Sequence, residues 1–196
     1  MSFISQEAVE KIAATLYGFN NIQKIKELGS CQDANFRIDT DTHSYVLKIS
    51  NLDASLDMIE VQNTILKYLE SVKEEHGTFL LFPCLITSVN KEYVTPWKFG
   101  SETYFIRCFT YVDGIMLSDC NYLSLDIYEK IGTVCYQVDN LLSRVDFSNA
   151  CAIISEAANT QWDMQFAFKN LESYISLLVP TPSLDVLFMH DLLKQA

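Results

Sequence analysis

The sequence predicts an α+β fold, in which a strand-rich part with one internal helix precedes a helical part. Strand patterns dominate up to residue 112, whereas helical periodicity dominates from residue 113 onward. This segregation differs from the regular strand–helix alternation of a parallel sheet. No G-x-G-x-x-G or Walker lysine motif points to a Rossmann or P-loop fold. We therefore predict two domains, residues 1–112 and residues 113–196.

The first predicted element is a helix whose apolar residues recur at helical spacing between positions 8 and 19. Gly18 supplies its stop. Asp53 or Ser55 is expected to cap the internal helix, which ends near Gly77. Alternating residues bounded by turn residues predict three strands around these helices, at 22–28, 35–39 and 43–50.

Further strands are expected before residue 113, and one long helix after it. The strand patterns cover residues 80–89, 92–95 and 103–112, the last ending at Asp113-Gly114. An amphipathic pattern over residues 122–145 predicts the helix, and the chain after it is helical or irregular in pattern.

Composition excludes several classes of function. The formal net charge of −11 argues against a nucleic-acid partner, which would select clustered Lys and Arg. The six cysteines form no C-x-x-C pair, so neither a zinc site nor a disulfide framework is predicted. The amino terminus has no signal-peptide pattern, and the longest apolar stretch, residues 79–89, is too short for a bilayer. We expect a cytoplasmic protein with no membrane partner.

Lys48 and Glu60 are the first candidates for chemistry. Lys48 lies in an apolar strand, on the face opposite the main core, and Glu60 lies in the helix that follows. A lysine–glutamate pair of this kind orients an ammonium toward phosphate oxygens. The plainer alternatives are a solvent-facing strand lysine and a solvated helix glutamate. Arg107 is interpreted as a residue of the sheet's outer face.

The loop from Gly29 to Asn35 is a weak phosphate-binding candidate, because it has a single glycine. Its backbone N–H groups, with Ser30 and Asn35, could donate to phosphate, and Gly29 would permit a sharp turn. A plain hairpin connection is the alternative.

Several short motifs, in the right order, resemble the aminoglycoside phosphotransferase family, and the hydroxylysine kinase branch most of all. The resemblance covers roughly residues 6 to 190. Its motifs are Asp33-Ala34-Asn35-Phe36, Tyr45-Val46-Leu47-Lys48-Ile49-Ser50-Asn51, Glu60-Val61-Gln62-Asn63, Ile106 to Gly114, Tyr128 to Gly132, Val138-Asp139 and Trp162-Asp163.

The resemblance implies a protein-kinase-like fold: an antiparallel-sheet N-lobe with one internal helix, a helical C-lobe, and ATP or GTP with Mg²⁺ between them. Lys48 would hold the α and β phosphates, and Glu60 would orient Lys48. The phosphates would be covered by Gly29, Ser30 and Asn35, and the purine would meet the backbone of Thr110, Tyr111 and Val112.

The sequence departs from the family at its catalytic segments. It has no H-G-D-x-x-x-x-N loop and no later D-x-D-type metal segment, so no catalytic or metal-binding residue is assigned. His190-Asp191 lacks the glycine and the asparagine, and its surroundings fit an amphipathic helix.

The expected function is that of an ATP- or GTP-dependent phosphotransferase acting on a hydroxyl of a small amino-acid-like or aminoglycoside-like metabolite. We expect it to be truncated before the catalytic loop, within a partial C-lobe, and inactive alone. The alternatives are a non-catalytic, pseudokinase-like module for nucleotide or protein binding, and a truncated reading frame whose exposed C-lobe surface associates.

Overall fold

The computed structural model describes residues 4–30, 32–76, 81–120 and 124–145. These residues all fall within the first of the two units into which the chain divides, Met1–Asp146. The elements are α1 (Gln6–Tyr17), β1 (Ile22–Leu28), β2 (Ala34–Thr40), β3 (Ser44–Ile49), α2 (Leu56–His76), β4 (Leu85–Ile86), β5 (Thr95–Phe99), β6 (Glu102–Thr110), a 3₁₀ turn (Leu117–Asp119) and α3 (Leu125–Leu142).

The strands form one antiparallel sheet of six strands in the order β1-β2-β3-β6-β4, with β5 also paired to β6. The predicted antiparallel sheet with an internal helix is confirmed, and α3 follows it as a helical element. The predicted boundary between residues 112 and 113 stays a prediction.

Local signals explain where the helices begin and end. Ser5 accepts a hydrogen bond from the Ala8 N–H at 3.2 Å, which caps α1. Gly18 ends this helix in the left-handed region with φ 69°, a conformation that glycine adopts without a Cβ clash. Ser55 caps α2 by accepting from the Met58 N–H at 3.4 Å, as one of the two predicted caps.

The main core lies between α1 and one face of the sheet. Val9, Ile12 and Ala13 of α1 are fully buried there. A smaller cluster joins α2 to α3 through Leu69, Val72 and Leu141. The strand residues of the main core are those of a single face, as the alternation predicts: Phe36, Ile38, Leu47, Ile49, Tyr104, Ile106 and Cys108.

Two strand predictions need correction. The strand expected at 80–89 shrinks to Leu85–Ile86, since Pro83 lacks an N–H for a ladder and a turn begins at Ser88. In that turn the Ser88 N–H donates to the Glu92 carbonyl, and Lys91 has φ 64°. The strand expected at 92–95 is therefore wrong. β5 begins at Thr95 instead and joins β6 through a two-residue loop that contains Gly100.

Several features named from the sequence lie outside the described residues. They are Gly77, Trp162-Asp163, His190-Asp191, Cys31 and Cys151. Within the described ranges, no helix is long and apolar enough to cross a membrane.

The cysteines offer a direct test of the burial pattern. Cys108 is fully buried, and burial raises the pKa of its thiol to about 12, whereas Cys135 is exposed on α3. Because the thiolate is the reactive form, iodoacetamide at pH 8 should alkylate Cys135 and leave Cys108 unmodified in the folded protein. Peptide mass mapping measures both sites. Rapid alkylation of Cys108 without unfolding would contradict this placement.

Candidate functional site

A cleft of about 500 Å³ lies between α2 and the sheet face opposite the main core. This volume falls within the range of small-molecule sites, roughly 300–1,000 Å³. Its walls combine a few polar groups with apolar side chains from strands and helix. The lining residues are Asn35, Val46, Lys48, Gln62, Ile65, Leu66, Pro83, Arg107 and Phe109.

Strand register places three polar side chains in one row across this face. Asn35 on β2 pairs with Lys48 on β3, and Lys48 pairs with Arg107 on β6. Directly opposite residues in an antiparallel pair share a face, so the three side chains are neighbours. Val46 and Phe109 form the next pair along the same face. The prediction that Lys48 points away from the main core is confirmed.

The ammonium of Lys48 is held by Asp33. Lys48 Nζ lies 2.8 Å from Asp33 Oδ2, and the two side chains are 26% and 23% exposed. The other carboxylate oxygen, Oδ1, accepts from the Asn51 backbone N–H at 3.1 Å. Asp33 therefore bridges the start of β2 to the end of β3 while it neutralises Lys48.

Arg107 lines the cleft and is buried, because α2 covers this face of the sheet, so its interpretation as an outer-face residue is wrong. Its side chain donates to Gln62 Oε1 at 2.9 Å and to Asn63 Oδ1 at 3.3 Å, both on α2. Burial lowers the pKa of Arg107, and the charges of Asp33 and Glu60 partly counteract that shift. The guanidinium thus ties α2 to the sheet and supplies a fixed positive charge.

Three buried polar atoms near the row have no hydrogen-bond partner in the part of the chain that the structure describes. They are Arg107 Nε, Asn63 Nδ2 and Asn35 Oδ1. Two of these residues, Asn35 and Arg107, also line the cleft. Buried polar groups are seldom left unpaired, so the atoms of Asn35 and Arg107 are available to a polar ligand or water in the cleft.

Glu60 lies in α2, the helix in which the sequence placed it. It is exposed on α2 and close enough to influence the pKa of Arg107, whereas the carboxylate in contact with Lys48 is that of Asp33. Its role in orienting Lys48 remains a prediction.

The three residues of the predicted phosphate loop differ in their position relative to the cleft. Asn35 lines the cleft, whereas Gly29 and Ser30 are exposed. Gly29 lies outside the left-handed region, and a Cβ added to it would meet no atom within 4 Å. The structure therefore does not require glycine at position 29, contrary to the sharp turn expected there.

The predicted purine-binding segment begins at Thr110, the last residue of β6. The N–H of Thr110 donates to the Cys84 carbonyl at 2.9 Å, and that of Tyr111 to the Ser44 carbonyl at 3.0 Å. Both N–H groups therefore already donate hydrogen bonds to neighbouring backbone carbonyls. Val112, which is 39% exposed, is the member of the predicted trio whose N–H has no such bond among the described residues.

A polar cluster flanks this segment. Arg37 lies over the Tyr111 ring, 4.0 Å from its centroid, and forms an ion pair with Asp39 at 2.6 Å. A hydrogen bond from Ser44 and the charge of Arg37 hold the pKa of Asp39 below its usual value.

Metal sites are a separate question: within the described ranges, no group of three or more His, Cys, Asp or Glu residues could hold a metal ion.

Asp33, Gln62 and Arg107 are site residues that sequence reasoning did not assign. Asp33 and Gln62 stand inside the quoted motifs, next to residues that were assigned. For Arg107 the signal was a cation between Phe105 and Phe109 on one strand face. A charged residue among large apolar ones favours a buried, hydrogen-bonded cation over a solvated one.

Comparisons with known proteins find chains similar to this one among the solved structures. No protein-family model and no curated protein matches the chain. An amicoumacin kinase in complex with AMP-PNP, Ca²⁺ and Ami is 18% identical, with a TM-score of 0.46 over 59% of this chain and 34% of that one. A microcompartment-associated aminopropanol kinase is 17% identical, with a TM-score of 0.49 over 65% and 38% of the two chains.

A spectinomycin phosphotransferase in complex with ADP and spectinomycin is 13% identical, with a TM-score of 0.47 over 94% of this chain and 61% of that one. This chain thus spans between 34% and 61% of the length of the three structures. All three are kinases or phosphotransferases by name. At these identities and TM-scores, no activity is transferred from them.

Proposed function

We propose that this chain binds the nucleotide of an ATP- or GTP-dependent phosphotransferase whose acceptor is a hydroxyl on a small amino-acid-like or aminoglycoside-like metabolite. The observation that carries the proposal is the row of Asn35, Lys48 and Arg107 in the cleft. Two cations stand side by side there, and together with the Asp33 carboxylate they carry a net charge of +1 in a chain of formal net charge −11. Such a local concentration of positive charge favours an anionic ligand against the overall field.

The two cations suit different tasks at a polyphosphate. Lys48 has a flexible stem and partial exposure, so its ammonium can follow a phosphate oxygen. Arg107 is held by two hydrogen bonds to α2, so it acts as a fixed charge beneath the ligand. Mg²⁺ bound to the phosphates would share the neutralisation of their charge.

The apolar part of the cleft suits a nucleobase. Val46, Ile65, Leu66 and Phe109 supply apolar walls against which a purine ring can pack. The Val112 N–H, which has no backbone hydrogen bond among the described residues, is our candidate for the hydrogen bond to the purine edge. A reducing cytoplasm, which supplies ATP and GTP, is the compartment that fits this function.

Lys48→Met tests the proposal. We expect it to raise the Kd for Mg·ATP or Mg·GTP by roughly 10- to 100-fold, because a hydrogen bond to a charged group contributes about 1.5–3 kcal/mol. Isothermal titration calorimetry measures the change. Lys98→Met is the matched control, since Lys98 is an exposed strand lysine outside the cleft lining, and its Kd should stay within about twofold of the wild type. Equal affinities for Lys48→Met and wild type would remove the main support for the proposal.

A non-catalytic, pseudokinase-like module is the second candidate function. It is favoured by large apolar side chains that stand exposed after the sheet, among them Ile115, Met116 and Leu125. The same titration is followed by an assay of phosphoryl transfer to hydroxylysine, homoserine and aminoglycosides. Turnover that is lost in Lys48→Met excludes the non-catalytic module, whereas nucleotide binding without turnover agrees with the module and with a phosphotransferase that is inactive alone.

A further inference from the structure

We propose that Asp33 competes with nucleotide phosphates for Lys48, so that Asp33 sets the affinity of the cleft for polyphosphates. This inference rests on the proposed function. It is carried by the Asp33–Lys48 ion pair, in which a carboxylate already occupies the position that a phosphate oxygen would take on the ammonium.

The position of the Asp33–Lys48 ion pair allows a ligand to break it. Its two side chains are each about a quarter exposed, so water reaches both charges. Ion pairs with such access contribute little net stability, whereas a triphosphate offers several negative charges at once. Lys48 already lines the cleft, so its flexible stem needs only to redirect the ammonium from Asp33 to a ligand there.

Asp33 itself is anchored and does not follow Lys48. Its Oδ1 atom accepts from the Asn51 backbone N–H, independently of the Oδ2 atom that contacts the lysine. The carboxylate therefore stays beside the cleft after Lys48 has turned away, where it repels phosphate. Lys48, Arg107 and Asp33 together carry a formal charge of +1, and neutralising Asp33 raises it to +2.

Asp33→Asn tests this role with little disturbance of the backbone, because the amide oxygen can still accept from Asn51. We expect the Kd of Mg·ATP to fall about 5- to 10-fold in this variant, where tenfold corresponds to about 1.4 kcal/mol. Inorganic triphosphate should show the same gain, since the effect concerns the phosphates. Asp126→Asn is the matched control: it breaks an ion pair of the same 2.8 Å length, with Lys130 on α3, and should leave both Kd values unchanged.

A second readout needs no nucleotide. Acetylation of Lys48 by acetic anhydride, followed by peptide mass mapping, should proceed several-fold faster in Asp33→Asn than in the wild type, because the ammonium loses its partner. Asp33→Ser repeats both measurements if Asp33→Asn does not fold, since a serine hydroxyl can also accept from Asn51.

The outcomes separate this inference from the proposed function. Tighter binding by Asp33→Asn, or binding by Asp33→Asn alone, supports the competition. If the wild type binds and Asp33→Asn binds equally well or more weakly, the competition is overturned and the proposed function stands. Weaker binding by Asp33→Asn would show that Asp33 positions Lys48 or a phosphate-bound cation. Absence of binding by both proteins overturns the proposed function and this inference together. Unchanged acetylation of Lys48 overturns the ion pair itself.

Discussion

Leu47→Ala should lower the free energy of unfolding by about 2–5 kcal/mol, the largest loss of stability that we expect from a single substitution in this chain. Leu47 is fully buried on β3, in the central part of the sheet and against the α1 face. Removal of its side chain loses apolar burial and leaves a cavity that fixed neighbours on two strands cannot fill.

Denaturation in urea, followed by circular dichroism, measures the effect of Leu47→Ala. Leu125→Ala is the matched control, because Leu125 is 81% exposed at the start of α3 and should change the free energy of unfolding by less than about 0.5 kcal/mol. Similar losses in the two variants would contradict the position of the main core.

Arg107→Met should keep the fold and weaken nucleotide binding by about tenfold or more. The charge of Arg107 is desolvated, and its partners Gln62 and Asn63 are neutral amides, so an apolar side chain of similar length avoids the cost of burying a cation. The unpaired amide oxygens cost about 1–3 kcal/mol each, which offsets that gain. The free energy of unfolding should therefore change little, while the cleft loses its fixed charge.

Calorimetric titration with Mg·ATP, together with urea denaturation, separates the two effects of Arg107→Met. Arg144→Met is the control, since Arg144 is an exposed residue beyond α3 and outside the cleft lining. An unchanged affinity would exclude Arg107 from ligand binding, and a loss of several kcal/mol of stability would show that its tether to α2 outweighs the cost of its burial.

Most of the fold follows from local patterns in the sequence. The strands around Lys48 and both long helices were predicted within a few residues, because their periodicities of 2 and 3.6 are uninterrupted. The errors lie between residues 80 and 95, where Pro83 and the turn at Ser88 interrupt an apolar stretch. An apolar stretch by itself does not indicate which of its residues pair with a neighbouring strand.

The candidate site was predicted in part. Two residues that the motifs singled out, Lys48 and Asn35, line the cleft, and Lys48 is on the expected face; their roles at a nucleotide stay predictions. The partner of Lys48 was missed, because Asp33 is 15 positions away along the chain and reaches the lysine only through the pairing of β2 with β3. Arg107 was missed for a related reason, since its burial depends on α2 covering that face.

The sequence by itself determined the faces: alternation along β3 assigns Leu47 to the core and Lys48 to the opposite side, since successive side chains of a strand point in opposite directions. Only the tertiary structure decided the partners. Strand register brings Lys48 beside Arg107, which is 59 positions later in the chain. That juxtaposition depends on long-range pairing and on the helix packed above it, and no local pattern specifies either.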